Sequence, residues 1–194
     1  LASSEPNLQN IPIKTEDEAK KIKCDIETLD FFISEIKEKE VSYSPKAPFR
    51  TSTLQQVASS KLFFNPERTM QVAQSLYESG LITYMRTDAP RLSKESIEDA
   101  RNFINEKIGN KYLTSNPRIY SSTENAQEAH EAIRPTNAHV TADDLLNQSD
   151  EEKKLYQLIW QRYIACQMPD AEYLSTSAKI NVDGYSFVAK GREV

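Results

Sequence analysis

The segment Gly80-Leu-Ile-Thr-Tyr-Met-Arg-Thr-Asp-Ala-Pro90 carries the residues best suited to chemistry in this chain. A glycine at the end of a helical pattern sends the following residues into extended backbone, where side chains two apart share a face. Tyr84, Arg86 and Asp88 then form one row, with Leu81, Thr83, Met85 and Thr87 on the other side. A phenol ionises near 10 and is a weak nucleophile at neutral pH. A guanidinium beside it stabilises the phenolate and holds a phosphodiester oxygen through paired hydrogen bonds. The pair suits attack on phosphorus, where catalysis is largely positioning and charge stabilisation. The plainer reading is a half-buried strand tyrosine beside an Arg86–Asp88 surface ion pair. On composition alone that reading is the stronger, because the chain has nine tyrosines.

Glu128-Ala-His-Glu-Ala-Ile-Arg-Pro-Thr136 is the second candidate. On a helix, His130 and Arg134 share one face, near the C-terminal end, and both can donate to an anion. A cation pair favourably placed at the negative end of a helix is the plainer alternative. Zinc hydrolysis is excluded, because HExxH needs histidine where this sequence has Arg134.

These residues need elements to position them. A helix is expected over 15–29, with a capping box of Thr15 and Glu18, then a strand over 31–43 with charged outer positions. After Pro45 and Pro48 the chain turns helical, with segments over 52–62, 66–79 (Asn65-Pro66 at its start), 93–107, 121–134, 141–147 and 150–167. Ser121 and Glu124 supply a capping box for the fourth of these, and Pro135 its stop. The last carries Leu155, Tyr156, Ile159, Trp160 and Tyr163 at helical spacing, which reads as core ahead of base stacking. Asp183-Gly184 between two β-forming runs signals a hairpin. The expected fold is mixed α+β. A helical lobe over 45–170 is inserted between β-forming ends, 15–44 and 171–194, while 1–14 stand apart.

Composition narrows the field. Of 194 residues only four are glycine, which leaves no GxGxxG and no P-loop. Two histidines and two cysteines form no metal-ligand cluster, and both Cys24 and Cys166 read as buried packing. The sequence contains no membrane span, and a cytoplasmic chain is the default. The net charge of −5 hides a distribution: residues 45–136 carry 12 basic and 10 acidic side chains, between flanks with 6 and 10 and with 6 and 9. A phosphate-facing surface is therefore expected in the middle.

PFRTSTLQQVASSKL, ERTMQVAQSLYESGLITYMRTDAPRLS, ENAQEAHEAIRPT and KLYQLIWQRYIACQM together resemble the bacterial type IA DNA topoisomerases, in the family's order and from about Thr15 onward. The resemblance implies that Tyr84 attacks one DNA strand to form a 5′-phosphotyrosine, that the other strand passes through the gap, and that the break is resealed. Arg86 would stabilise the transition-state phosphate and His130 would contact the DNA backbone, with Thr83, Asp88, Arg134 and Thr136 in support. The helical middle would be the tyrosine-bearing lobe, helix-turn-helix-like in arrangement, and the β ends part of an antiparallel arch. The resemblance also implies Mg²⁺ held by an acidic Asp-x-Asp cluster in a Toprim domain. Asp143-Asp144 and Glu151-Glu152 do not match that spacing, so the chain is expected to be a fragment that cannot relax DNA alone and binds no metal itself. Its partners would be single-stranded DNA and the enzyme's remaining domains, in the cytoplasm with the bacterial nucleoid. Residues 1–16 are similar instead to the SSxDPNLQNIP element of family-A DNA polymerases, with Glu5 in place of Asp and with Asn7, Gln9 and Asn10 at matching positions. Poor order is expected there. A non-catalytic nucleic-acid-binding module, a structural helical domain and a chimera with a polymerase segment are the alternatives.

Overall fold

The computed structural model describes residues 13–120 and 130–193. The chain forms two compact units, one made of the segments up to Tyr43 and from Ala171 onward, the other running Ser44–Asp170.

The first unit holds α1 (Glu16–Ile26), β1 (Phe32–Tyr43), β2 (Ala171–Val182) and β3 (Tyr185–Glu193). Thr15 and Glu18 make the expected capping box, but the helix stops at Ile26 and buries none of its residues. Cys24, expected inside, is exposed on it. The strands form an antiparallel sheet in the order β1-β2-β3. Asp183 and Gly184 both have positive φ, 39° and 80°, as a two-residue type I′ turn requires. A bulge between Ile33 and Glu35 shifts the β1 register, and the Ser34 hydroxyl there donates to the Lys179 carbonyl at 3.2 Å.

The second unit is built on α2 (Thr51–Leu62), α3 (Pro66–Glu78), α4 (Lys94–Phe103) and α5 (Asp150–Ala165). α2 and α3, joined through Phe63–Asn65, form the helix-turn-helix-like pair, and both pack on α5. Asn65 caps α3 by accepting from the Arg68 N–H at 2.7 Å, with Pro66 at the first helical position. Leu155, Tyr156 and Ile159 of α5 meet Leu54, Val72 and Leu76 in one apolar cluster. Tyr163 and Ile164 meet Ile97, Phe103 and Ile104 in another, and Trp160 packs against both. The aromatic positions of α5 are therefore core. Their polar tips find backbone partners: the Tyr156 hydroxyl donates to the Val140 carbonyl at 2.8 Å, and the Trp160 indole N–H to Ala138 at 2.8 Å. Burial pushes the Tyr156 phenol and the Cys166 thiol each up to about 12.

Three expected helices differ. That over 93–107 is α-helical only to Phe103, then widens into a π turn, Ile104–Ile108, closed by the Gly109 N–H on the Ile104 carbonyl at 2.8 Å. That over 141–147 is a single 3₁₀ turn, Ala142–Asp144. The helix over 121–134 is overturned at its described end, residues 130–134, which are not helical and include Ile133 in an isolated bridge to Phe49. Its capping box and the order of residues 1–12 lie outside the described residues.

Candidate active site

The reactive row is placed by the end of α3. Gly80, at φ 72°, reverses the chain. Its N–H bonds the Tyr77 carbonyl at 2.8 Å, while the Leu81 N–H bonds Leu76 at 3.0 Å, the two bonds of a Schellman ending. L-residues are strained in this left-handed conformation, whereas glycine adopts it freely. The next ten residues are not helical. Met85, Thr87 and Ala89 point inward at 0%, 5% and 3% exposure, while Tyr84, Arg86 and Asp88 face out, as the spacing predicts. Ile82 breaks the alternation and is buried, because it forms an antiparallel bridge with Pro135.

Two flanking segments fix this strand. Thr51, at the start of α2, donates its hydroxyl to the Met85 carbonyl at 2.8 Å and accepts from the Thr87 N–H at 2.9 Å. Its own N–H bonds the Thr87 carbonyl at 3.0 Å. On the other side, the Thr83 N–H bonds the Arg134 carbonyl at 2.9 Å and the Thr136 N–H bonds Leu81 at 3.1 Å. The Thr83 hydroxyl donates to the Ala132 carbonyl at 2.7 Å and accepts from the Arg134 N–H at 3.0 Å. The Thr136 hydroxyl donates to the Gly80 carbonyl at 2.8 Å.

Those bonds explain why 130–134 is not helical. The Ala132 N–H goes to the Arg91 carbonyl at 2.8 Å and the Ile133 N–H to Phe49 at 2.7 Å, so the backbone is satisfied by distant segments. Pro135 also biases Arg134 away from helical dihedrals. His130 and Arg134 consequently share no helical face. His130 is exposed. The Arg134 side chain is only 15% exposed, and its Nε and Nη2 both donate to Glu131 Oε2, at 3.1 and 2.7 Å. Nη1 donates to the Pro135 carbonyl at 2.9 Å, and Glu131 Oε1 accepts from the Ser93 N–H at 2.9 Å. Arg134 thus braces the strand and the start of α4 through Glu131.

The candidates therefore divide. Thr83, Arg134 and Thr136 are engaged in holding the strand, whereas Tyr84, Arg86, Asp88 and His130 present themselves to solvent. Tyr84 is 43% exposed, with its ring edge-on to Tyr77 at 5.3 Å between centroids. Among the described residues, neither the Tyr84 hydroxyl nor the Arg86 guanidinium has a hydrogen bond or ion pair, and the Arg86–Asp88 pair of the plainer reading does not form. Sequence spacing missed Thr51, Glu131 and Tyr77. Only Tyr77 carried a signal, as an aromatic in the turn of α3 that leads into Gly80. Among the described residues no three His, Cys, Asp or Glu side chains converge as metal ligands. No described helix is long and apolar enough to cross a membrane.

A mixed α+β chain with an exposed tyrosine and arginine on a braced strand is the class that fold and site define. The family model described as DNA topoisomerase matches residues 2–194, including most of the N-terminal stretch set apart above. The chain is 50% identical to Vibrio cholerae DNA topoisomerase 1 over 155 residues, covering 80% of this chain and 18% of that protein. It is 44% identical to Rickettsia typhi DNA topoisomerase 1 over 197 residues, covering 96% and 25%. The solved structure of full-length topoisomerase I from Thermotoga maritima superposes with a TM-score of 0.72 at 35% identity, over 96% of this chain and 31% of that one. The chain belongs to the type IA DNA topoisomerases. It spans 18% and 25% of the length of the two curated relatives described.

Proposed function

We propose that this chain is the tyrosine-bearing segment of an enzyme that cleaves one DNA strand, passes the other through the gap and reseals it, relaxing negative supercoils. The observation that carries this reading is the uncommitted Tyr84–Arg86 row on a strand held from both sides. The Tyr84 oxygen attacks the phosphorus of a phosphodiester and forms a P–O bond as the bond from phosphorus to the 3′ oxygen breaks. The phenolic proton is lost, the departing 3′ oxygen takes one up, and the product is a 5′-phosphotyrosine. Resealing runs the same exchange backward. Arg86 holds two non-bridging oxygens where negative charge develops. His130 contacts the backbone of the bound single strand near the cut, with Asp88 continuing the row and Thr83, Arg134 and Thr136 keeping it in place. Magnesium belongs to acidic residues of other segments of the enzyme, and no step here runs through it. The setting is the bacterial cytoplasm, with the nucleoid.

The test is denaturant-quenched trapping on labelled single-stranded DNA, with a full-length enzyme carrying this segment. A covalent adduct is expected with the parent and none with Tyr84→Phe; equal adduct in both overturns the reading. The 194-residue chain alone, supplied with Mg²⁺, should not relax a supercoiled plasmid.

A further inference from the structure

The charges of β1 alternate in sign through Glu35, Lys37, Glu38, Lys39 and Glu40. Because strand side chains alternate faces, lysines collect on one side of the sheet and Glu38 and Glu40 on the other. The register extends this sorting to the neighbouring strands. Lys37 lies opposite Ser177, which lies opposite Lys190; Lys39 lies opposite Ser175, which lies opposite Arg192. Lys179 joins them beside Glu35. Side-chain contacts agree with this assignment: Lys37 Nζ meets Glu35 at 2.9 Å, and the Arg192 guanidinium sits over the Tyr43 ring at 5.5 Å. One sheet face therefore carries five cations against the single carboxylate Glu35. Among the described residues, Lys39, Lys179 and Lys190 have no ion pair. Lys39, Lys190 and Arg192 are exposed, and Tyr43 at the end of the face is 48% exposed.

We infer that this face is a second binding surface for DNA, distinct from the tyrosine row, and that its occupant is a single strand held by its phosphates. Same-face residues recur about every 6.8 Å along a strand, and neighbouring strands lie about 4.8 Å apart. The cations thus occupy a patch about 10 Å across, sized for one extended backbone. The surface needs no cleavage to be measured, so although it rests on the enzyme handling DNA, its failure and that of the Tyr84 assignment are separable.

The test titrates the 194-residue chain against a fluorescein-labelled oligothymidylate between about 50 and 200 mM salt. The triple variant Lys39→Gln, Lys190→Gln, Arg192→Gln should lower the slope of log Kd against log salt by about 2, at about 0.7 per phosphate contact, and weaken binding at least about tenfold. Lys20→Gln, Lys21→Gln, Lys23→Gln on α1, with the same change in net charge, should bind as the parent does. The charge-keeping triple Lys39→Arg, Lys190→Arg, Arg192→Lys should also retain affinity. Equal losses in the two glutamine triples, a loss in the charge-keeping triple, or displacement by duplex DNA as effective as by unlabelled single strand would each overturn the inference.

Discussion

Thr83 holds its segment with one hydroxyl that both gives and takes a hydrogen bond, while among the described residues the neighbouring Tyr84 hydroxyl makes none. Thr83→Val removes both bonds at nearly constant volume and leaves the Arg134 N–H and Ala132 carbonyl without them, at a cost of about 1–3 kcal/mol. Thr83→Ser should recover most of it; chemical denaturation of the three proteins measures both. Arg86→Ala and His130→Ala, by contrast, should leave stability within about 0.5 kcal/mol. Both should weaken single-strand binding, more strongly at low salt. Period-two spacing made the Tyr84, Arg86 and Asp88 row legible in the sequence. The role of Arg134 was not, because its partner Glu131 reaches it across an extended segment whose shape is set by Phe49, Arg91 and Pro135.

Among the elements, α3 does most to aim the tyrosine. Gly80→Ala meets no atom within 4 Å, so its cost is the left-handed backbone alone, about 1 kcal/mol by thermal melting. α5 is tied to α3 by the Arg68–Glu151 ion pair and by the Ser75 hydroxyl, which donates to Glu152 at 2.5 Å. The Ser75 and Ser149 hydroxyls hold the Glu152 carboxyl below the usual carboxylate range. Its folded value lies below its unfolded one, so its stabilisation is complete above the unfolded value and is lost as pH falls through the folded one. Glu152→Gln should therefore flatten the acid limb of the stability profile, followed by denaturation across pH. The start of α3 could be read from Asn65-Pro66, and α5 from its helical spacing, to within a few residues. The helix expected up to Arg134 could not be rejected, since its backbone bonds go to Phe49 and Arg91, far away in sequence.

For the whole molecule, β-forming ends around a helical middle were visible in the composition shift at Pro45 and in the Asp183-Gly184 turn. The strand order was not, because pairing Ile33 with Ile180 depends on partners on either side of the whole Ser44–Asp170 unit. The sign-sorted sheet face likewise needed the register. The alkaline limb of stability also belongs to this scale. The phenols of Tyr120 and Tyr156 are each raised by burial to about 12, so the unfolded chain ionises first. Stability should fall as pH rises past about 10. Peptide mapping of the trapped adduct identifies the nucleophile. Cleavage after Arg68 and Arg86 yields one peptide holding both Tyr77 and Tyr84, whose rings lie 5.3 Å apart. Fragmentation of that peptide should place the nucleotide mass on Tyr84; the mass on Tyr77, or on a peptide elsewhere in the enzyme, would exclude Tyr84 as the nucleophile.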